Sequence, residues 1–338
     1  ALHRRPELGW QEEETARRIR ETLDHAGVRW RSCAHTGTVA TLASQAPGTH
    51  VALRGDIDAL PVTEAVDVPW ASEVEGCMHA CGHDGHTAAL IGTALWLARH
   101  EASLPGPVTL IFQPAEEGGH GAREMIDDGA LDGVERIYGW HNWPAIDLGR
   151  AVCPDGVVLA GNGTFEIELI GRGGHASQPE LCRDPVPAAS AVNLALQQIV
   201  ARRFAPQDAV VVSPTSIDGA SAPTVIRDTA TLSGSIRIPD MTLRDELNAM
   251  ITDVARQTAA AWGVEARVEH RPRYGPTVND PDAAATLRDG LAGTLGPAWR
   301  CERTALPIMA SEDFSYYLEA VPGAFALIGA GEGEAYRE

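Results

Sequence analysis

Val108-Thr109-Leu110-Ile111-Phe112-Gln113-Pro114-Ala115-Glu116-Glu117 is a short apolar run that stops in a proline and two acids. An unbroken run of this length, bounded by a turn residue, reads as a buried strand. Two other runs are built the same way. Residues 51–55 (VALRG) finish in Asp56 and Asp58, and residues 136–140 finish at His141. Before the first lies an amphipathic helical pattern over residues 11–27, closed by Gly27. Between the first and second, after a Pro-, Gly- and Cys/His-rich loop over 61–85, Leu90, Ile91, Ala94, Leu95 and Ala98 share one helical face. Strands that alternate with helices and each end in a polar cluster predict an α/β domain on a parallel sheet. Such sheets bind ligands at the carboxyl ends of their strands. Asp56, Asp58, Glu116, Glu117 and His141 are therefore expected on one edge.

The pattern changes near residue 161. Residues 164–170 alternate Phe165, Ile167 and Leu169, a helix is predicted over 186–203, and strands over 209–217 and 229–238. A helix over 242–262 and a strand over 264–270 complete a β-α-β-β-α-β order, the split βαβ or ferredoxin-like arrangement. Residues 161–272 thus read as a second domain inserted into a first made of 1–160 and 273–338. The first resumes with a helix over 281–291 and a strand over 324–329.

Composition excludes several chemistries. Of 338 residues, 27 are Lys or Arg, and all of these are arginine; 46 are Asp or Glu, for a net charge of −19. Without lysine there is no Schiff base, so pyridoxal-phosphate and lysine-aldolase chemistry are excluded. P-loop nucleotide hydrolysis and protein-kinase activity each need a lysine as well. The acidic balance argues against nucleic-acid and anionic-membrane partners. It reflects either coding bias toward arginine or salt adaptation. No apolar run approaches the roughly 18 residues of a membrane span, and no signal peptide is visible. Six irregularly spaced cysteines (Cys33, Cys77, Cys81, Cys153, Cys182, Cys301) read as a reducing, cytoplasmic setting. The start at Ala1 inside a helical pattern and the stop at Glu338 read as trimmed ends.

Three features carry chemistry. Between Gly76 and His86 stand Cys77, His79, Cys81, His83 and His86, five potential metal ligands ahead of a helix. Thiolate and imidazole suit zinc and similar ions, and Gly82 lets Cys81 and His83 turn toward one centre. A thiol pair, Cys77 with Cys81, is the competing reading. Glu116 and Glu117 repel each other in a low-dielectric site; a metal relieves one, and the other is free to act as a general base. A solvated acidic turn is the bland alternative. His141 lies between Trp140 and Trp143, as either a core histidine or a ligand. Gly171-Arg172-Gly173-Gly174-His175-Ala176 mimics a dinucleotide loop, but no helix opens after it. The nucleophile elbow G-x-S-x-G is absent.

Taken together, LHRRPELGWQEEET (2–15), RGDIDALPVTE (54–64), GCMHACGHDGHTA (76–88), IFQPAEEGGHGAREMI (111–126), GWHNWP (139–144), GRGGHAS (171–177) and ASEDFSYY (310–317) resemble the amidohydrolase branch of the aminoacylase/carboxypeptidase G metallopeptidase family. That branch includes hippurate hydrolases, N-acyl-amino-acid amidohydrolases and auxin-conjugate hydrolases. The resemblance implies a zinc-peptidase α/β domain with a central mixed sheet and an inserted ferredoxin-like lid that forms a homodimer. It implies two divalent ions per chain, Zn or Mn, with Co or Ni as alternatives. Cys81, His83, Glu117 and His141 match its metal ligands, Glu116 its general base, and Asp58 a carboxylate that orients a ligand histidine. His175 matches a lid histidine that stabilises an oxyanion in a partner's site. Arg237 matches a lid arginine at the substrate's carboxylate, and Thr224 falls among its substrate contacts. The implied activity is hydrolysis of N-acyl amino acids to a carboxylic acid and a free amino acid. Rival readings are deacetylation of an N-acetylated diamino acid, a metal- or ligand-binding relative with a decayed site, and a thiol-redox protein. Two departures stand out. No histidine follows His270, where the family has a last ligand after the final apolar strand, which is expected beyond Glu338. Thr224-Val225-Ile226-Arg227 replaces the family's Asn-Val-Ile-Pro.

Overall fold

The computed structural model describes residues 1–331. The chain divides into two compact units. The first holds α1 (Glu13–His25), β1 (Trp30–Cys33), β2 (Gly37–Leu42), β3 (Val51–Asp56), α2 (His83–Arg99), β4 (Val108–Gln113), α3 (Gly121–Asp127), β5 (Arg136–Asp147), β6 (Ala151–Val152) and β7 (Gly156–Leu159). The second holds β8 (Gly161–Ile170), β9 (Gly174–His175), α4 (Pro185–Arg203), β10 (Val211–Asp218), β11 (Val225–Ile226), β12 (Thr229–Ile238), α5 (Arg244–Ala261) and β13 (Glu265–Pro272). The chain then returns to the first unit with β14 (Thr277–Asn279), α6 (Pro281–Leu295), α7 (Ser315–Ala320) and β15 (Gly323–Gly331). The short segment Pro307–Glu312 clusters with the second unit. This differs from the sequence expectation, which gives 273–338 wholly to the first domain. Backbone bridges explain it: Leu159 pairs with Ile308, and Ala160 donates to the carbonyls of Ile308 and Ala310. Residues 332–338 of that expected domain lie outside the described residues.

The first unit is built on a seven-stranded sheet in the order β1-β2-β4-β3-β5-β15-β6. β4, β3, β5 and β15 run parallel, β2 and β6 run antiparallel to them, and β1 pairs antiparallel with β2, so the sheet is mixed. Strands covered on both faces are apolar without alternation. That is why Leu110, Ile111 and Phe112 are all fully buried in β4. Ile19 and Leu23 of α1 and Leu90, Ala94 and Leu97 of α2 pack with Leu110 and Phe112 in one core. Ala283, Ala284 and Leu291 of α6 pack with Ala324 and Ala326 of β15 in another.

Two boundaries correct the sequence reading. α2 begins at His83, not after residue 85, because Gly82 takes a left-handed conformation (φ +83°) and starts the helix early. β5 runs through His141 to Asp147, where the sequence reading stops it at His141. Its continuation is paired in parallel with β15, His141 beside Leu327 and Trp143 beside Gly329. That partner strand lies nearly two hundred residues further on, so no local pattern announces it.

The second unit is an antiparallel sheet in the order β10-β12-β8-β13. Phe165, Ile167 and Leu169 of β8, with Leu232 and Ile236 of β12, face α4 and α5 in a single core. Polar neighbours such as Glu166 and Glu168 take the opposite face, as expected of a sheet covered on one side. Asp184 caps α4 by accepting from the Val186 N–H, ahead of a proline at the first helical position. No helix among the described residues is long and apolar enough to cross a membrane.

Candidate metal centre

β3 ends at Asp56, and two residues on Asp58 is fully buried. Asp58 serves two masters. Its Oδ1 lies 3.2 Å from His83 Nδ1, and its Oδ2 accepts from the Glu117 N–H at 2.9 Å. It therefore ties the first turn of α2 to the loop after β4. With Nδ1 engaged by Asp58, His83 presents Nε2 inward, the arrangement by which a carboxylate orients a ligand imidazole. His141 is fixed similarly. Its Nδ1–H donates to the Asn142 carbonyl at 2.6 Å, and its Nε2 lies 3.6 Å from Cys81 Sγ.

The structure brings Cys81, His83 and His141 together with one donor atom each inside a 4.8 Å cluster, and His83, Glu116 and Glu117 likewise. His83 Nε2 and Glu117 Oε1 are buried with no hydrogen-bond partner. A buried polar atom left unpaired costs about 1–3 kcal/mol. Two such atoms, an imidazole lone pair and a carboxylate oxygen beside a thiol, are a donor set that suits a divalent ion.

The electrostatics agree. Burial opposes charge on His83, but the Asp56 and Asp58 carboxylates raise it well above the ordinary imidazole value. The pocket thus favours a positive charge at that ring, from a proton or a metal. Burial pushes the Cys81 thiol and the Glu117 carboxyl up. Burial, with His86 beside it, lowers His141 to about 3, which keeps it neutral and able to donate a lone pair.

Of the five clustered Cys and His residues, only Cys81 and His83 join these two donor groups. His86 forms a third group with Asp56 and His83, yet both its ring nitrogens are engaged. Nδ1–H donates to Asp56 Oδ1 at 2.6 Å, and Nε2 accepts the Asn142 N–H at 3.0 Å. His86 is a strut between β3 and β5. Behind it, the buried Arg54 donates to Asp56 at 2.6 Å, to Asp313 at 3.0 Å and to Gln113 at 2.7 Å. Arg54 holds Asp56 well below the usual carboxylate range, against the opposing effect of burial and with help from His83 and His86. Asp313 also accepts from the Ala122 N–H, while its own N–H lies 3.3 Å from Glu116 Oε1. Sequence reasoning counted His86 among the potential ligands, where the structure makes it a strut, and it missed the roles of Arg54 and Asp313. A charge inside an apolar run, at Arg54, is the signal that was there to find. Cys77 and His79 are buried outside the donor groups.

The remaining expected residues belong to the second unit. His175 sits on the β9–β11 ribbon, paired with Val225. Its Nδ1 accepts the Ser177 N–H at 3.2 Å and lies 2.8 Å from the Ser177 hydroxyl, which leaves the ring proton on Nε2. The Thr224 carbonyl accepts the Ala176 N–H at 2.9 Å. Arg237, on β12, donates to the Ser311 hydroxyl at 2.5 Å.

A thiol, imidazole and carboxylate set gathered around the buried His83, with Cys81 and His141 half-buried, defines a metal-dependent hydrolase on this mixed α/β sheet. Residues 52–338 match the model of peptidase family M20/M25/M40. The chain belongs to that family. It is 39% identical over 333 residues to an N-acetyl-L-cysteine deacetylase of Bacillus subtilis, covering 97% of this chain and 78% of that one. It is 41% identical over 333 residues to IAA-amino acid hydrolase ILR1-like 2 of Arabidopsis thaliana, covering 97% and 75%. The fold superposes on the Bacillus subtilis YXEP protein, a dinuclear metal-binding peptidase of the M20 family. The TM-score is 0.81 and the identity 34%, over 97% of this chain and 86% of that one. The clustered donors and the family together make the chain a metal-dependent amidohydrolase.

Proposed function

We propose that the chain hydrolyses the amide bond of N-acyl amino acids, releasing a carboxylic acid and a free amino acid. The observation that carries this is the pair of buried, unpartnered donors, His83 Nε2 and Glu117 Oε1, set beside Cys81, His141 and a second carboxylate, Glu116. Cys81, His83, Glu117 and His141 would hold two divalent ions, Zn or Mn. When bound, such ions polarise an acyl carbonyl and lower the pKa of a water toward about 7. Glu116 takes the proton from the attacking water and returns it to the leaving amine. Asp58 keeps His83 aimed. His175 of one copy donates its Nε2–H to the tetrahedral oxyanion of the substrate in the other copy's site. Arg237 pairs with the substrate's carboxylate, and Thr224 lies among the contacts that select it. The second unit is a ferredoxin-like lid through which two copies pair. The names of the N-acetyl-L-cysteine deacetylase and the IAA-amino acid hydrolase both describe amino acid conjugates, which supports the same substrate class here.

The test is an amine-release screen of N-acetyl, N-benzoyl and longer N-acyl amino acids, and of mono-N-acetylated diamino acids, with Zn, Mn, Co or Ni supplied. Release from simple N-acyl amino acids is expected. Release from none of them overturns the proposal.

A further inference from the structure

The backbone that delivers Glu116 is held in an unfavourable shape. β4 ends at Gln113, Pro114 follows, and Ala115 is fully buried with φ +51°. A left-handed conformation is unfavourable for a residue with a Cβ, and such strain persists only where the surroundings enforce it. The enforcement comes from the N-terminal stretch, 103 residues earlier in the chain. Glu12, just ahead of α1, is fully buried. Its Oε1 accepts the Ala115 N–H at 2.9 Å, and its Oε2 accepts the Thr36 hydroxyl at 2.7 Å. A buried carboxylate is costly unless its oxygens are bonded, and both of these are.

The same N-terminal stretch grips the other carboxylate loop. The Glu7 carbonyl accepts the Ala59 N–H at 2.9 Å, next to Asp58. The Glu7 carboxylate accepts the N–H groups of Glu14 at 3.0 Å and Thr15 at 2.7 Å, which closes the first turn of α1. Gly9 lies between the loops: a Cβ there would come within 3.1 Å of Ala115 Cα and 3.5 Å of Asp58 Oδ2.

We infer that residues 7–12 are a clasp that sets the catalytic geometry, and that Glu12 is the positioning residue that aims Glu116 by fixing the Ala115 backbone. The inference rests on Glu116 as the base. Misplacing a reacting group by about 1 Å costs on the order of 100-fold in rate.

The test compares Glu12→Ala, Glu12→Asp, Glu12→Gln and Glu116→Gln in the full chain, with zinc as the metal and the best substrate of the screen. Aspartate keeps the charge but is too short to reach Ala115; glutamine keeps an acceptor for Ala115 and offers a donor to Thr36. Expected are a 10- to 100-fold lower kcat in Glu12→Ala and Glu12→Asp, with KM and zinc content by mass spectrometry within about twofold of wild type. Amide hydrogen exchange over residues 112–118 is faster in both, and Glu12→Gln recovers most of kcat. If Glu12→Ala does not fold, Glu12→Asp carries the comparison. Wild-type kcat in folded Glu12→Asp beside an inactive Glu116→Gln overturns the clasp alone, as does a loss of kcat that tracks loss of zinc. Wild-type kcat in Glu116→Gln overturns the base assignment and the clasp's catalytic role with it.

Discussion

In the proposed reaction Glu116 is the residue on which the chemistry turns. It is nearly buried, and its Oε1 faces the Asp313 N–H. Replacing it with glutamine keeps size and polarity but removes the proton acceptor. General-base catalysis contributes about 100- to 10,000-fold, so Glu116→Gln should lower kcat by that order while metal content, read by mass spectrometry, stays as in wild type. A second residue-level expectation concerns the thiols. Burial pushes both Cys33 and Cys153 up to about 11. Only the thiolate attacks, and a thiol with a raised pKa remains protonated below that value. At pH 8, a thiol reagent followed by peptide mapping should modify the half-exposed Cys301 in the native protein, and Cys33 and Cys153 only after denaturation. Rapid native modification of Cys33 would contradict the burial argument.

At the scale of elements, the centre depends on how α2 meets β5. Gly82 separates Cys81 from His83, has φ +83°, and a Cβ there would sit 2.6 Å from Asn142 Oδ1. Asn142 in turn donates its N–H to His86 and follows His141. One glycine therefore sets the spacing between the start of a helix and the middle of a strand. Gly82→Ala should lose about 1–2 kcal/mol from the left-handed backbone alone, read by urea unfolding. It should lose metal affinity as well, read by chelator competition, because its neighbours Cys81 and His83 are the proposed donors. Unchanged stability and affinity together would mean that the α2–β5 contact does not shape the site.

At the scale of the whole molecule, sequence legibility follows the range over which each feature is determined. β3 and β4 were readable because Val51–Asp56 and Val108–Gln113 are continuous apolar runs with polar ends. The order of strands and helices in the second unit was readable because β8 and β12 alternate cleanly along one face. The full length of β5 was not, since its partner β15 is supplied from the far end of the chain. Nor was Glu12: an acid in an amphipathic helical stretch looks like a solvated face, and its partners Thr36 and Ala115 lie 24 and 103 residues away. Arg54 meets one partner two residues on and another 259 residues on. The absence of lysine, by contrast, was fully legible and fits a centre that works through thiol, imidazole and carboxylate donors. Metal-dependent amide hydrolysis by this donor set can be read from the rate of amine release from an N-acyl amino acid before chelation, after it, and after zinc or manganese is restored. Activity should be lost on chelation and return with the ion; a rate indifferent to complete metal removal would exclude a metal-dependent reaction.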